Sequence, residues 1–198
     1  GRIFRSPHDF NQFTKMQNGG FTQEEKREFF KNFSERYDGK TFDSPIEHFY
    51  YLYTYTSEKD KQNLLSPHIS AATNEQKLKE HFSKCFEEVK DESYYNKVMY
   101  SFERVHLQGL LNRVDMTTMA TSVEARVPFV DHRLVEFAFT IPVKYKLKWN
   151  SDKDKFAARL LMGDKISEEY DTPKYILKKA YESLLSKNIL YRKKMGFP

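Results

Sequence analysis

Apolar residues recur along this chain at helical spacing, and polar residues able to start helices precede them. Phe29, Phe30 and Phe33 form one stripe, and Leu78, Phe82, Phe86 and Val89 a second. Ile176, Leu177, Ala180, Tyr181, Leu184 and Leu185 form a third. A period of three to four residues places each set on one helix face. Thr22 with Glu25, Ser44 with Glu47 and Thr73 with Gln76 have capping-box spacing, in which side chains satisfy backbone donors at a helix start. Ser44-Pro45 and Thr172-Pro173 place proline at a first helical position, where its missing donor costs nothing. The span 93–119 reads as one or two helices, and Asp131 caps a short helix through Thr140, ended by Pro142. Asn18-Gly-Gly20 and Tyr37-Asp-Gly39 read as turns, and His8 falls in a loop. No segment alternates cleanly with period two, and no Gly-rich strand-to-helix turn is present, so the pattern predicts an all-α fold without internal repeats.

Composition narrows the class. The 198 residues suit one domain or a large piece of one, and 39% hydrophobic residues suffice for a core. No run approaches the roughly 20 apolar residues of a membrane helix, and no signal peptide opens the chain. The single cysteine, Cys85, excludes an internal disulfide and favours a cytoplasmic location. A net charge of +5 raises nucleic acid as a partner, but the basic residues are scattered among 28 acids. A pocket for phosphates explains the excess as well, and neither nucleic acid nor membrane is expected to bind. The six histidines lack metal-ligand spacing, and no metal site is predicted.

The stretch 110–137, LLNRVDMTTMATSVEARVPFVDHRLVEF, carries the chemistry. Arg113, Asp115, Glu124, Arg126, Asp131 and Arg133 mix both signs of charge with the apolar Met116, Met119, Val123 and Val127. Pro128 stops any helix. Charges this dense among apolar residues are expected to be paired and partly buried, because an unpartnered buried charge is expensive. The pattern fits the wall of a site.

The runs Leu111-Asn-Arg113-x-Asp115, Met119-Ala120, Glu124-Ala-Arg-Val-Pro-Phe129 and Asp131-His-Arg-Leu-Val-Glu136, followed by Arg192-Lys-Lys194-Met-Gly196-Phe197-Pro198, closely resemble the synthetase domain of the glutamine-dependent asparagine synthetase family. The resemblance is strong from about Tyr94 and diffuse over 1–92. It implies a single helical piece, 1–198, with a motif-bearing region at 93–198. That piece would be the helical C-terminal half of an α/β adenylating synthetase domain, without its nucleotide-binding sheet. The family's Ser-Gly-Gly-x-Asp-Ser phosphate loop, Gly-Glu-Gly-x-Asp-Glu segment and catalytic N-terminal cysteine are not in this sequence. The segment Lys146 to Met162, with a helix from Asp152, departs from the family's shorter connection.

The family uses ATP and magnesium to adenylate aspartate, and ammonia from a glutaminase domain then attacks the acyl-adenylate. The resemblance therefore implies glutamine and aspartate, or another carboxylate such as a sugar acid, as substrates of the whole enzyme. It implies no cofactor bound to this piece alone, which is expected to be inactive. A helical interaction module without catalysis is the rival from another class.

Lys194 is the family's phosphate-side lysine by resemblance, and Lys174 is similar to a second. Arg113 either orients the bound acid or phosphate through its planar fork or forms an ion pair with Glu124 or Asp131. Asp115, Glu124, Arg126 and Asp131 belong to the structural motif. Val114, Met119, Ala125 and Val127 stand where the family lines its ammonia passage; core packing is the alternative reading.

Overall fold

The computed structural model describes residues 2–54, 56, 58–72 and 75–192. It is mostly helical, as the pattern predicts. The chain divides into two units, one formed by 1–40 with 127–198 and the other by 41–126. Neither boundary coincides with the change in sequence character near residue 92.

The first unit opens with helices α1 (Pro7–Asn18) and α2 (Gln23–Tyr37). Thr22 starts α2 with a complete capping box: its side chain accepts from Glu25 N, and its own N–H donates to Glu25 Oε2 at 2.8 Å. Gly19 and Gly20 make the intervening turn at positive φ, which glycine adopts without a Cβ clash. Phe13 stacks on Phe33 at 4.7 Å, and Phe33 meets Tyr37 at 4.6 Å. These rings, Phe29 and Met16 are buried.

Helices α1 and α2 pack against the segment 152–166, which overlaps the stretch from Lys146 to Met162 whose sequence reads as a departure from the family. It holds α11 (Asp152–Ala157), the 3-10 turn Ala158–Leu160 and α12 (Gly163–Ile166), and Ala158, Leu160, Met162 and Ile166 are all buried. Three successive carbonyls of the 3-10 turn are met by side chains of α1 and α2, and Ala158 O also accepts from Leu161 N. His8 Nε2 lies 3.2 Å from Ala158 O, Gln12 Nε2 donates to Arg159 O at 2.9 Å, and Asn32 Nδ2 donates to Leu160 O at 3.0 Å. The helix expected from Asp152 is present, with Ser151 accepting from Asp154 N.

Strands β1 (Leu147–Trp149) and β2 (Asp171–Pro173) flank this segment as an antiparallel pair, with Trp149 opposite Asp171. They are the β structure among the described residues. Period-two reading missed them because three residues are too few to show alternation. Pro173 therefore ends a strand rather than opening a helix. Helices α13 (Tyr175–Ala180) and α14 (Lys187–Leu190) follow, so the apolar stripe from Ile176 to Leu185 runs past the end of α13 and stays largely exposed. His8, expected in a loop, lies in the first turn of α1.

The second unit contains α3 (Pro45–Tyr53), α4 (Glu58–Leu64), α5 (Pro67–Ala72) and α6 (Glu75–Glu88). Helix α7 (Tyr94–Ser101) then passes through a π-helical segment, Phe102–Leu107, into α8 (Gln108–Met119). Ser44 caps α3 with Pro45 at its first position, whereas Thr73 lies outside the described residues. The core is aromatic: Phe49 meets Phe82 edge-on at 5.5 Å and Phe86 at 5.4 Å. His48 is fully buried and shares a 2.6 Å hydrogen bond with Tyr94 Oη.

Gly163 sets how closely α12 approaches the first turn of the chain. A Cβ there would stand 3.0 Å from the carbonyl carbon and oxygen of Arg5, which are backbone atoms that cannot rotate away. Gly163→Ala should thus destabilise the first unit by about 1–3 kcal/mol, the usual cost of overpacking. Trp149, the chain's single tryptophan, reports it as a lower urea midpoint; an unchanged midpoint would mean that the Arg5 backbone yields freely.

Candidate functional site

Helix α8 presents the first half of the motif. Its threonines bond back onto the preceding turn: Thr117 Oγ1 donates to Arg113 O at 2.7 Å and Thr118 Oγ1 to Val114 O at 2.9 Å. The helix stops after Met119, where Ser122 takes a left-handed φ of 59° and Val123 N bonds back to Thr118 O. Residues 123–127 run without regular structure to Pro128, which opens a 3-10 turn. Asp131 then caps α9 (His132–Thr140) by accepting from Arg133 N at 3.0 Å, as its position predicts.

Four of the motif charges are paired, but not as expected. Glu124 pairs with Arg126 at 2.6 Å and Asp131 with Arg133 at 2.7 Å, each with a near neighbour in sequence. The first pair is open to solvent rather than partly buried, with the Arg126 side chain 83% exposed, whereas Asp131 is half-buried beside an exposed Arg133. The Arg133 guanidinium, and then its backbone N–H, hold the Asp131 carboxyl down at about 2. Arg113 and Asp115 are exposed on α8. Val114, Met119, Ala125 and Val127 are exposed as well, so they are not core residues of this chain. Phe129 and Phe137, in the first unit, are also apolar and each about 60% exposed. Arg113, Val114, Asp115, Met119, Glu124, Ala125 and Arg126 belong to the second unit, and Val127, Asp131 and Lys174 to the first.

Lys174 sits between β2 and α13 in the left-handed region, φ 56° and ψ 34°, with its side chain exposed. Lys194 and its Arg-x-Lys-x-Gly-Phe pattern run beyond Arg192 into residues outside those described.

Sequence reading missed a buried polar cluster in the first unit. Asp9 is almost fully buried and accepts from Tyr37 Oη and from Gly163 N, both at 2.7 Å. Burial pushes its carboxyl up to about 7, against the lowering pull of those two donors. Burial, with Arg5 nearby, pushes His8 down to about 4, so the ring is neutral at pH 7, with its proton on the Nε2 that faces the Ala158 carbonyl. Arg5 forms a buried ion pair with Asp171. The available signal was the polar run Arg5-Ser-Pro-His8-Asp9 directly ahead of Phe13 and Met16, but apart from Tyr37 the partners lie 150 residues or more away and no local pattern announces them.

The fold thus defines a helical scaffold with one exposed, motif-bearing segment and a separate, tightly satisfied polar core. The family model described as asparagine synthase matches residues 8–198, and the chain belongs to that family. Asparagine synthetase [glutamine-hydrolyzing] 3 of Bacillus subtilis is 38% identical over 92 residues, covering 46% of this chain and 12% of the relative. Asparagine synthetase [glutamine-hydrolyzing] 1 of the same organism is 32% identical over 114 residues, covering 57% and 15%. The Gallus gallus asparagine synthetase [glutamine-hydrolyzing] is 31% identical over 87 residues, covering 43% and 12%. The chain therefore spans only a small part of the length of the curated relatives it matches. No solved structure matches it significantly.

The neighbours His8 and Asp9 give opposite pH dependence. Between about pH 4 and 7 folded Asp9 keeps a proton that unfolded Asp9 has lost, so this group's contribution to stability falls as pH rises. Between about pH 4 and 6.5 unfolded His8 holds a proton that the folded state lacks, so its contribution rises with pH. The two largely offset. Asp9→Asn should expose the His8 slope, adding about 1.4 kcal/mol of stability per pH unit over that window relative to the parent. Urea midpoints at pH 4.5 and 6.5 measure it; a difference between variant and parent that does not change with pH would deny Asp9 its buried proton.

Proposed function

We propose that this chain forms part of the synthetase domain of a glutamine-dependent asparagine synthetase, in which it closes the site where ATP activates the aspartate side chain. The carrying observation is that the asparagine synthase match takes in a segment whose paired charges and apolar side chains are all held at the surface of this chain. Exposed ion pairs contribute little stability, and exposed Phe, Met and Val contribute none to this core. Such residues are suited to face a substrate or another part of the same enzyme.

In this reading the side-chain carboxylate of aspartate attacks the α-phosphorus of ATP, and pyrophosphate leaves. Ammonia released from glutamine then displaces AMP from the acyl-adenylate to give asparagine. Lys194 and Lys174 supply ammonium groups to the phosphates, where a compact cation suits charge building on the departing pyrophosphate. Arg113 orients the acid or phosphate through its fork of donors. Glu124, Arg126 and Asp131, with Asp115, shape the loop. Val114, Met119, Ala125 and Val127 offer the apolar lining that neutral ammonia needs, since a protonated nitrogen is no nucleophile.

The residues fit phosphate better than metal. Among the described residues no group of three or more His, Cys, Asp or Glu side chains could hold an ion. Magnesium therefore enters as the companion of the nucleotide phosphates, held by groups other than these.

Incubating the protein that carries this chain with ATP, glutamine and a panel of carboxylates tests the assignment. AMP and an amide should form with aspartate. AMP formation restricted to another carboxylate, such as a sugar acid, would replace aspartate as the acceptor, and its failure with every carboxylate would favour a non-catalytic helical module. In the same protein, Lys194→Ala should slow AMP formation at least tenfold, about 1.4 kcal/mol of transition-state stabilisation, while glutamine hydrolysis continues. Normal AMP formation in that variant would take Lys194 away from the phosphates.

A further inference from the structure

Two residues of the hairpin region that are neither glycine nor small sit in the left-handed region, Glu168 at φ 72° and Lys174 at φ 56°. That conformation crowds Cβ against the backbone, and it persists only where the surroundings over-determine it. Asp171 stands midway between them, three residues from each. One of its oxygens, Oδ1, accepts the Glu168 backbone N–H at 3.0 Å. The other accepts Arg5 Nε at 2.6 Å and also pairs with Arg5 Nη2. The Arg5 guanidinium lies 4.3 Å from the centre of the Trp149 ring, and Trp149 is the strand partner of Asp171. Pro173, buried and rigid in φ, joins this anchor to Lys174. The anchor is buried and fully engaged; the lysine it leads to is exposed.

We propose that Asp171 and Arg5 are positioning residues for Lys174: their buried ion pair fixes the strand end that presents the lysine to a phosphate of the nucleotide. The proposal rests on the reading of Lys174 as a phosphate-side lysine. Asp171 bonds directly to the backbone of one left-handed residue, Glu168, and stands three residues from the other, Lys174, with only Thr172 and the rigid Pro173 between. The fork of Arg5 and the three donors on Asp171 suit a rigid mount, because a displacement of about 1 Å at a reacting group can cost up to a hundredfold.

The test is a double-mutant cycle in the protein that carries this chain, with Mg-ATP affinity from titration calorimetry and the rate of AMP formation as readouts. Lys174→Ala should weaken Mg-ATP binding about tenfold, and Asp171→Asn about fivefold or more, in protein that still unfolds cooperatively. The double variant should bind no more weakly than Lys174→Ala alone, since a mount has no effect once the lysine is gone. Losses that multiply, or an Asp171→Asn protein with unchanged affinity beside an impaired Lys174→Ala, would overturn the positioning role alone. Unchanged affinity in Lys174→Ala would instead remove Lys174 from the phosphates and take the proposal with it. Should Asp171→Asn not fold, Arg5→Lys, which keeps the charge but loses the fork, should reproduce the non-additive pattern; additive losses there would equally overturn it.

Discussion

A buried ion pair between residues 166 positions apart, Arg5 and Asp171, ties the two ends of the first unit together. Two charges taken out of water are stable only when every lone pair and proton finds a partner. The structure meets that demand by giving Asp171 three donors and by laying the Arg5 guanidinium over Trp149. The pair therefore cannot be loosened gradually. Wherever it forms, the start of the chain, the segment after β1 and the strand before Lys174 are fixed together. Gly163 follows from the same constraint, because only a residue without a Cβ lets α12 approach the Arg5 backbone so closely.

The second unit is built on a different principle. Its core is a packed set of rings from α3, α6, α7 and the π-helical segment, with edge-on and tilted contacts that exploit the ring quadrupoles. All its residues lie within one continuous stretch, 41–126. The first unit draws on both ends of the chain and must close long loops before its contacts form, which slows folding and makes it more cooperative with distant parts. The motif-bearing segment spans the junction at 126/127, so its two halves are carried by different bodies.

Exposure of the motif has a physical meaning. Glu124–Arg126 and Asp131–Arg133 are surface pairs, worth little to stability, and the apolar residues among them are not covered by this chain. A sequence under pressure only to fold would have no reason to keep them there. The chain belongs to a family whose curated relatives are much longer than it is.

Local sequence determined the helices and many of their starts, because capping side chains, proline and apolar spacing act within one or two turns. Thr22 with Glu25, Ser44 before Pro45, and Asp131 before α9 read directly and stand in the structure. The motif also read directly, since its identity lies in residue order. Tertiary structure alone decided the rest. Pro173 and Lys174 looked like a helix start; pairing of β2 with β1 made one a strand end and the other a left-handed residue. The motif charges were expected to be partly buried, yet exposure depends on what covers a segment, which no local pattern specifies. Arg5, Asp9 and Asp171 drew no reading from local pattern, and His8 read as a loop residue. Their burial, and the proton that Asp9 retains, arise only when residues from the two ends of the chain exclude water together.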